Sequence, residues 1–263
     1  MEQALSPAFA AVSDRGLRHD RNEDRFSIAS AAERHAIVVC DGVSSSHHSE
    51  TASSFVSEAV LAELWNSAAS LNVSDPAAAM RKAIAAGVMN LATQVRDAQE
   101  DNPASTTVVA ALVEGGRATI GWVGDSRAYW IDAIGARQLT QDHSWTNEVV
   151  AAGQMTFEQA ERSPQAHAIT RWIGADAGSA ALADAVSFNL PGPGTLLLCT
   201  DGLWNYASNL TQMATLVAAA QAAEPDALAA ARQLVSFANS EGGLDNITVA
   251  LLRLEPSPKS EEL

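Results

Sequence analysis

Cysteine is nearly absent. The chain holds 2 among 263 residues, with no Cys-x-x-Cys pair and no Cys-x5-Arg loop. A thiolate zinc cage is thereby disfavoured, as is a reaction loop built on a nucleophilic cysteine, and a disulfide between the two cysteines requires neighbouring strands of suitable geometry. Cys40 and Cys199 each sit inside an apolar run, where a small buried hydrophobe is the expectation. Basic residues are scarce as well: 16 Lys and Arg face 31 Asp and Glu, for a net charge of −15. Such a balance repels the phosphate backbone of nucleic acid and anionic bilayers, so neither is an expected partner. No apolar run approaches the length of a membrane helix, and the first eleven residues carry no basic segment leading into an apolar one. A cytoplasmic protein is the expectation.

What the chain has is a repeated device. His35-Ala-Ile-Val-Val-Cys-Asp41-Gly42 is an apolar run ending on Asp-Gly, and Gly194-Thr-Leu-Leu-Leu-Cys-Thr-Asp201-Gly202 repeats it. A third run, Asn246-Ile-Thr-Val-Ala-Leu-Leu252, reverses the order, with Asp245 at its amino end. If that strand runs antiparallel to the other two, all three carboxylates fall on one edge of one sheet. Asp24 and Asp125 also stand where a predicted strand meets a loop.

The remaining pattern is hairpins joined by glycine-rich turns, with helices read from 50 to about 69, from Asp75-Pro76 to about 98, from 210 to about 222 and from 226 to 239. The expected fold class is α+β, a four-layer αββα sandwich of two antiparallel sheets flanked by pairs of helices. Residues 9–254 form a single domain, with tails at 1–8 and 255–263 and a polar, partly helical flap at 142–168.

Clustered carboxylates repel and raise one another's pKa unless cations lie between them. With oxygen donors only, hard ions such as Mg²⁺ or Mn²⁺ are favoured over zinc. Two such ions about 4 Å apart suit the hydrolysis of a phosphate ester, by acidifying a bridging water and clamping the phosphoryl group. A phosphate also calls for a guanidinium, and Arg18, Arg21 and Arg25 surround Glu23-Asp24. His47-His48, in a serine-rich loop, reads as a solvated pair.

The stretches Arg18-His-Asp-Arg-Asn-Glu-Asp24, Val39-Cys-Asp-Gly-Val43, Ser105-Thr-Thr107, Gly124-Asp-Ser-Arg127, Leu139-Thr-Gln-Asp-His-Ser144, Ile169-Thr-Arg-Trp-Ile-Gly174, Thr200-Asp-Gly-Leu-Trp204 and Asp245-Asn-Ile-Thr248 occur in an order that resembles the PPM family. These are the metal-dependent serine/threonine protein phosphatases of the 2C type, and the chain looks like a bacterial member. The resemblance implies a centre of two Mn²⁺ or Mg²⁺ ions and direct attack by water, with no phosphoenzyme. It implies that Asp41 bridges both ions and Gly42 offers its carbonyl. Asp201 and Asp245 would hold one ion, and Glu23 with Asp24 would support the other, directly or through water. Asp125 corresponds to a ligand of a weaker third ion. The implied partners are a phosphoprotein substrate and a serine/threonine kinase with its targets, and a monomer is expected.

Three positions depart from the family pattern. The phosphate-gripping arginine is replaced by His19, leaving Arg18, one residue earlier, to take that role. Ser44-Ser-Ser46 stands where Gly-Gly-His is usual. Asn205 stands where a carboxylate of the third site is common. The first two departures also suit a second reading, a non-catalytic module that keeps the fold and binds a kinase or regulator.

Overall fold

The computed structural model describes residues 1–66, 75–94, 103–174, 177–224 and 226–255. Its strands are β1 (Glu2–Ser6), β2 (Phe9–Asp14), β3 (Arg25–Ala31), β4 (Arg34–Cys40), β5 (Ser105–Thr106), β6 (Val108–Glu114), β7 (Arg117–Val123), β8 (Arg127–Asp132), β9 (Gly135–Gln138), β10 (Ile173–Gly174), β11 (Asp184–Asn189), β12 (Gly194–Cys199) and β13 (Ile247–Leu254). Its helices are α1 (Ser49–Asn66), α2 (Pro76–Gln94), α3 (Trp145–Ala151), α4 (Phe157–Ala160), α5 (Asp201–Trp204), α6 (Leu210–Ala223) and α7 (Ala227–Ser240).

Two antiparallel sheets carry the architecture, one ordered β1-β2-β13-β12-β8-β9 and the other β11-β7-β6-β4-β3. The Asp-Gly runs are almost wholly apolar because both faces of their strands are covered. Leu196 and Leu198 of β12 join Ile37 and Val39 of β4 in the core between the sheets. Leu197 and Cys199 turn outward onto α6 and α7, while Val38 and Cys40 turn onto α1 and α2. Four layers follow, as expected from the sequence. Asp75 receives the Ala78 N–H at 2.9 Å and so caps the start of α2.

Three expectations need correction. The strand β13 is antiparallel to β12, with Cys199 opposite Val249, so Asp201 and Asp245 do share an edge. Asp41 does not, because β4 pairs with β3 and β6 in the other sheet. The acidic set therefore spans the mouth between two sheets rather than one edge of one sheet. Residues 1–8 are not a loose tail, since Glu2–Ser6 forms the edge strand β1 against β2. Every residue of β1 is exposed, so no burial pattern marked it; backbone pairing and an Arg232–Glu2 ion pair hold it. Segment 142–168 does carry two short helices, but its base is core: Asp142, His143, Val149 and Ala166 are buried. Its ends clasp each other through Thr170 N–H to His143 and Trp145 N–H to Ala168, both 2.9 Å.

The tail from 256 onward and the expected helix ends at 67–69 and 95–98 lie outside the described residues. Cys40 and Cys199 are both buried free thiols. Among the described residues no helix is long and apolar enough to cross a membrane.

Candidate metal centre

Asp41 follows β4 directly, and its backbone is clamped. Its carbonyl accepts from Thr107 N–H at 2.8 Å and from the Thr106 hydroxyl at 2.9 Å. The Thr107 and Ser126 hydroxyls lie 2.8 Å apart, tying the Asp41 turn to the one that presents Asp125. From the other sheet, Asp201 opens α5 in its first turn. Gly202 backs directly onto Asn246, where a Cβ would lie 2.0 Å from the Asn246 carbonyl oxygen, so only glycine lets the Asp201 turn lie against the start of β13.

Asp24 is wholly buried, and the hydroxyls of Thr200 and Thr248 both donate to its Oδ2, at 2.9 and 2.8 Å. Glu23 is held from the opposite side: Ser44 donates to its Oε2 and Ser49 to its Oε1, each at 2.7 Å. The serine loop that departs from the family pattern thus supplies one of the two hydroxyls orienting this carboxylate. Asn246 receives the Glu23 N–H and donates to the carbonyls of Arg15 and Arg21, fastening the acidic loop to the start of β13. The sequence motifs include Asn246, Thr106, Thr107, Thr200 and Thr248 but give them no role. Their hydroxyl and amide groups look like ordinary turn residues until their partners are known.

The carboxylates act on one another. Burial pushes Asp41 well above the usual carboxylate range, and Asp24, Asp201, Asp125 and Asp245 push it further. Burial raises Asp24 to about 7, with Asp201 and Asp245 adding to the rise against the hydrogen bonds of Thr248 and Thr200. Asp201 is pushed up to about 6 by burial and then by Asp245. Asp125 is raised by burial, then by Asp201 and Asp142. Five aspartates from both sheets therefore share one field.

Cations fit that field. Asp24 Oδ1 and Asp201 Oδ1 are buried and receive no hydrogen bond from any described residue, which is costly unless a positive ion faces them. Among the described residues no three acidic, His or Cys side chains close round one point as a finished cage would. Mg²⁺-like ions keep several waters and use only one or two carboxylates, so an open oxygen-rich mouth suits them.

The cationic candidates separate. Arg25 is turned onto the carbonyls of Asn22 and Asp24, and Arg21 pairs with Glu50 at 3.6 Å. Arg18 is exposed and bonds to no described residue. His19 sits with its Nε2 3.3 Å from Asp245 Oδ1. His47 and His48 are exposed, as read from the sequence. Asn205 donates to Asp201 Oδ2 at 3.2 Å, so an amide occupies a carboxylate oxygen where the family often has an acid.

A carboxylate mouth for hard cations between two antiparallel sheets, with no cysteine nucleophile loop, defines a metal-dependent phosphohydrolase scaffold. The protein phosphatase 2C sequence profile matches residues 16–238. The chain belongs to the protein phosphatase 2C family, of the bacterial type. It is similar to the serine/threonine phosphatase stp of Listeria monocytogenes, 28% identical over 95% of this chain and 97% of that one. The crystal structure of the Mycobacterium tuberculosis serine/threonine phosphatase PstP/Ppp superposes with a TM-score of 0.77 at 31% identity, covering 94% of this chain and 98% of that one. The catalytic domain of PstP in complex with two manganese ions superposes at 0.70, with 28% identity over 94% of this chain and 98% of that one.

Proposed function

We propose that this enzyme hydrolyses phosphoserine and phosphothreonine in proteins, with two Mn²⁺ or Mg²⁺ ions in the mouth between the sheets. The observation that carries the reading is the shared field of Asp24, Asp41, Asp125, Asp201 and Asp245, with two buried carboxylate oxygens lacking a donor among the described residues. When bound, the ions supply Lewis acidity, acidifying the nucleophilic water and neutralising phosphoryl oxygens. Asp41 would serve both ions, with the Gly42 carbonyl beside it; Asp201 and Asp245 would hold one, and Glu23 with Asp24 would support the other. Asp125 would take a third, which the Asn205 amide on Asp201 weakens.

The chain's own residues do the positioning. Ser44 and Ser49 fix both oxygens of Glu23, and Thr106 with Thr107 fixes the Asp41 turn. Arg18, with no described partner, is available to meet the phosphate dianion. Residues 145–167 would form the flap beside the substrate. The natural substrates would be a serine/threonine kinase and its targets, met in the cytoplasm by a monomer. Phosphate release from a phosphopeptide should stop in EDTA, return with Mn²⁺, and stay absent in Asp41→Asn and Asp201→Asn. Full activity in EDTA after dialysis contradicts the reading.

A further inference from the structure

We infer that His19 lends an imidazole nitrogen to the cation held at Asp245, making this centre a mixed nitrogen and oxygen one that favours Mn²⁺ and later first-row ions over Mg²⁺. The inference rests on the metal-centre reading above and concerns one residue that reading leaves without a role.

The geometry is specific. His19 Nε2 stands 3.3 Å from Asp245 Oδ1, and the two side chains are 29% and 40% exposed, so both reach solvent. Two donors bonded to one ion at about 2.1 Å stand about 3.0 Å apart at a right angle and about 3.4 Å apart at a tetrahedral one. The observed separation falls in that interval. Asp245 has already spent one lone pair of the same oxygen on its neighbour Asn246 N–H at 2.7 Å, which fixes how the carboxylate faces the imidazole.

The loop that carries His19 is pinned in place. Gly16, at φ 74°, lies so close over Asp245 that a Cβ would come 2.1 Å from its carbonyl oxygen. Leu17 N–H bonds the Gly243 carbonyl at 2.8 Å, and Asn246 holds the carbonyls of Arg15 and Arg21. His19 thus sits on a loop fastened at both ends to the segment that presents Asp245. Imidazole is a stronger ligand for Mn²⁺, Co²⁺ and Zn²⁺ than for Mg²⁺, which prefers oxygen. A guanidinium at this place cannot coordinate at all.

Pulsed EPR on the Mn²⁺-loaded enzyme tests this directly, because a bound imidazole imprints a ¹⁴N coupling on the manganese signal. The coupling is expected in the wild type and absent in His19→Gln and His19→Arg. Calorimetric titration should show Mn²⁺ affinity falling roughly tenfold in His19→Gln, with Mg²⁺ affinity changed by less than about twofold. Coupling that persists in His19→Gln points to another imidazole, with His167 also close enough to act on Asp201, and overturns the assignment. So does a wild type that binds Mn²⁺ without nitrogen coupling. A wild type that binds no Mn²⁺ removes the metal centre itself, and the assignment with it. Thermal melting of each metal-free variant shows whether it is folded, and His19, partly exposed, is not part of the core.

Discussion

The side-chain oxygen of Asn246 accepts the backbone N–H of Glu23 at 2.7 Å, joining positions 223 residues apart. With its amide on the carbonyls of Arg15 and Arg21, this one buried side chain holds the loop from β2 to β3 against the start of β13. The contact sets where Glu23 and Asp24 stand relative to Asp245, so it sets the width of the mouth.

Asn246→Ala should therefore weaken both fold and metal binding. Three backbone groups lose their partner in a place that is 2% exposed, for a loss of roughly 2–3 kcal/mol. Urea denaturation should show a lower midpoint, and Mn²⁺ titration a Kd raised about tenfold. Unchanged metal affinity in a destabilised protein separates the structural part of the role from the positioning part.

The pH dependence of the metal-free protein should run opposite to ordinary acid denaturation. A carboxyl whose folded pKa is raised binds more protons folded than unfolded, so stability falls as pH rises through that interval. For Asp24 the interval runs from the ordinary carboxylate value of 3.8 to about 7, and for Asp201 to about 6, with burial the first cause of each rise. The cost is fully present above the higher value. Chelated enzyme should melt at a lower temperature at pH 8 than at pH 5.5, and saturating Mn²⁺ should flatten the slope. Asp24→Asn keeps acceptors for Thr200 and Thr248 while removing the charge, so it should stabilise chelated enzyme at pH 8 by roughly 2 kcal/mol and abolish metal-dependent turnover.

Arg127 lies over the Trp204 ring, 3.5 Å from guanidinium carbon to centroid, and its Nε and Nη2 grip Asp142. Trp204 in turn donates its indole N–H to the Asp125 carbonyl at 3.0 Å. The base of the flap segment is thus linked through one buried ion pair to the turn that presents Asp125. Arg127→Ala leaves Asp142, 8% exposed, without its counter-charge, and should cost about 3–5 kcal/mol. Arg127→Lys keeps the charge but loses the fork and the stacking, so it should recover only part of that loss. Denaturation midpoints of the two variants check the order, and equal midpoints for Arg127→Lys and wild type would count against it.

How much of this could be read from the sequence depended on what each residue contacts. The Asp-Gly strands were legible because continuous apolar runs such as Ala36–Cys40 need cover on both faces, and a four-layer sandwich provides it. The assignment of Asp41 to a different sheet from Asp201 was not, since the two runs are alike in composition and only their pairing partners differ. The strand β1 left no trace because none of its side chains is buried. The supports of the site were hidden for a different reason. Ser44, Ser49, Thr200 and Thr248 carry out their role through single hydroxyls whose targets lie up to 224 positions away, and no spacing rule reaches across that distance.

Those hydroxyls can be tested at Glu23. Ser49 is wholly buried and donates to Oε1, while Ser44 is exposed and donates to Oε2, each at 2.7 Å. Removing the buried donor leaves a carboxylate oxygen that water cannot easily reach, whereas the exposed one is replaced by solvent at little cost. Ser49→Ala should then lower stability by about 1 kcal/mol and raise the Kd for Mn²⁺ severalfold. Ser44→Gly, which restores the residue type usual in the family, should change stability by less than about 0.5 kcal/mol and leave Mn²⁺ binding nearly intact. Double substitution should exceed the sum of the two, because with both donors gone Glu23 is free to leave its rotamer. If Ser44→Gly proves the more damaging single change, the serine loop has become an essential part of this centre rather than a replaceable brace, and the burial argument fails.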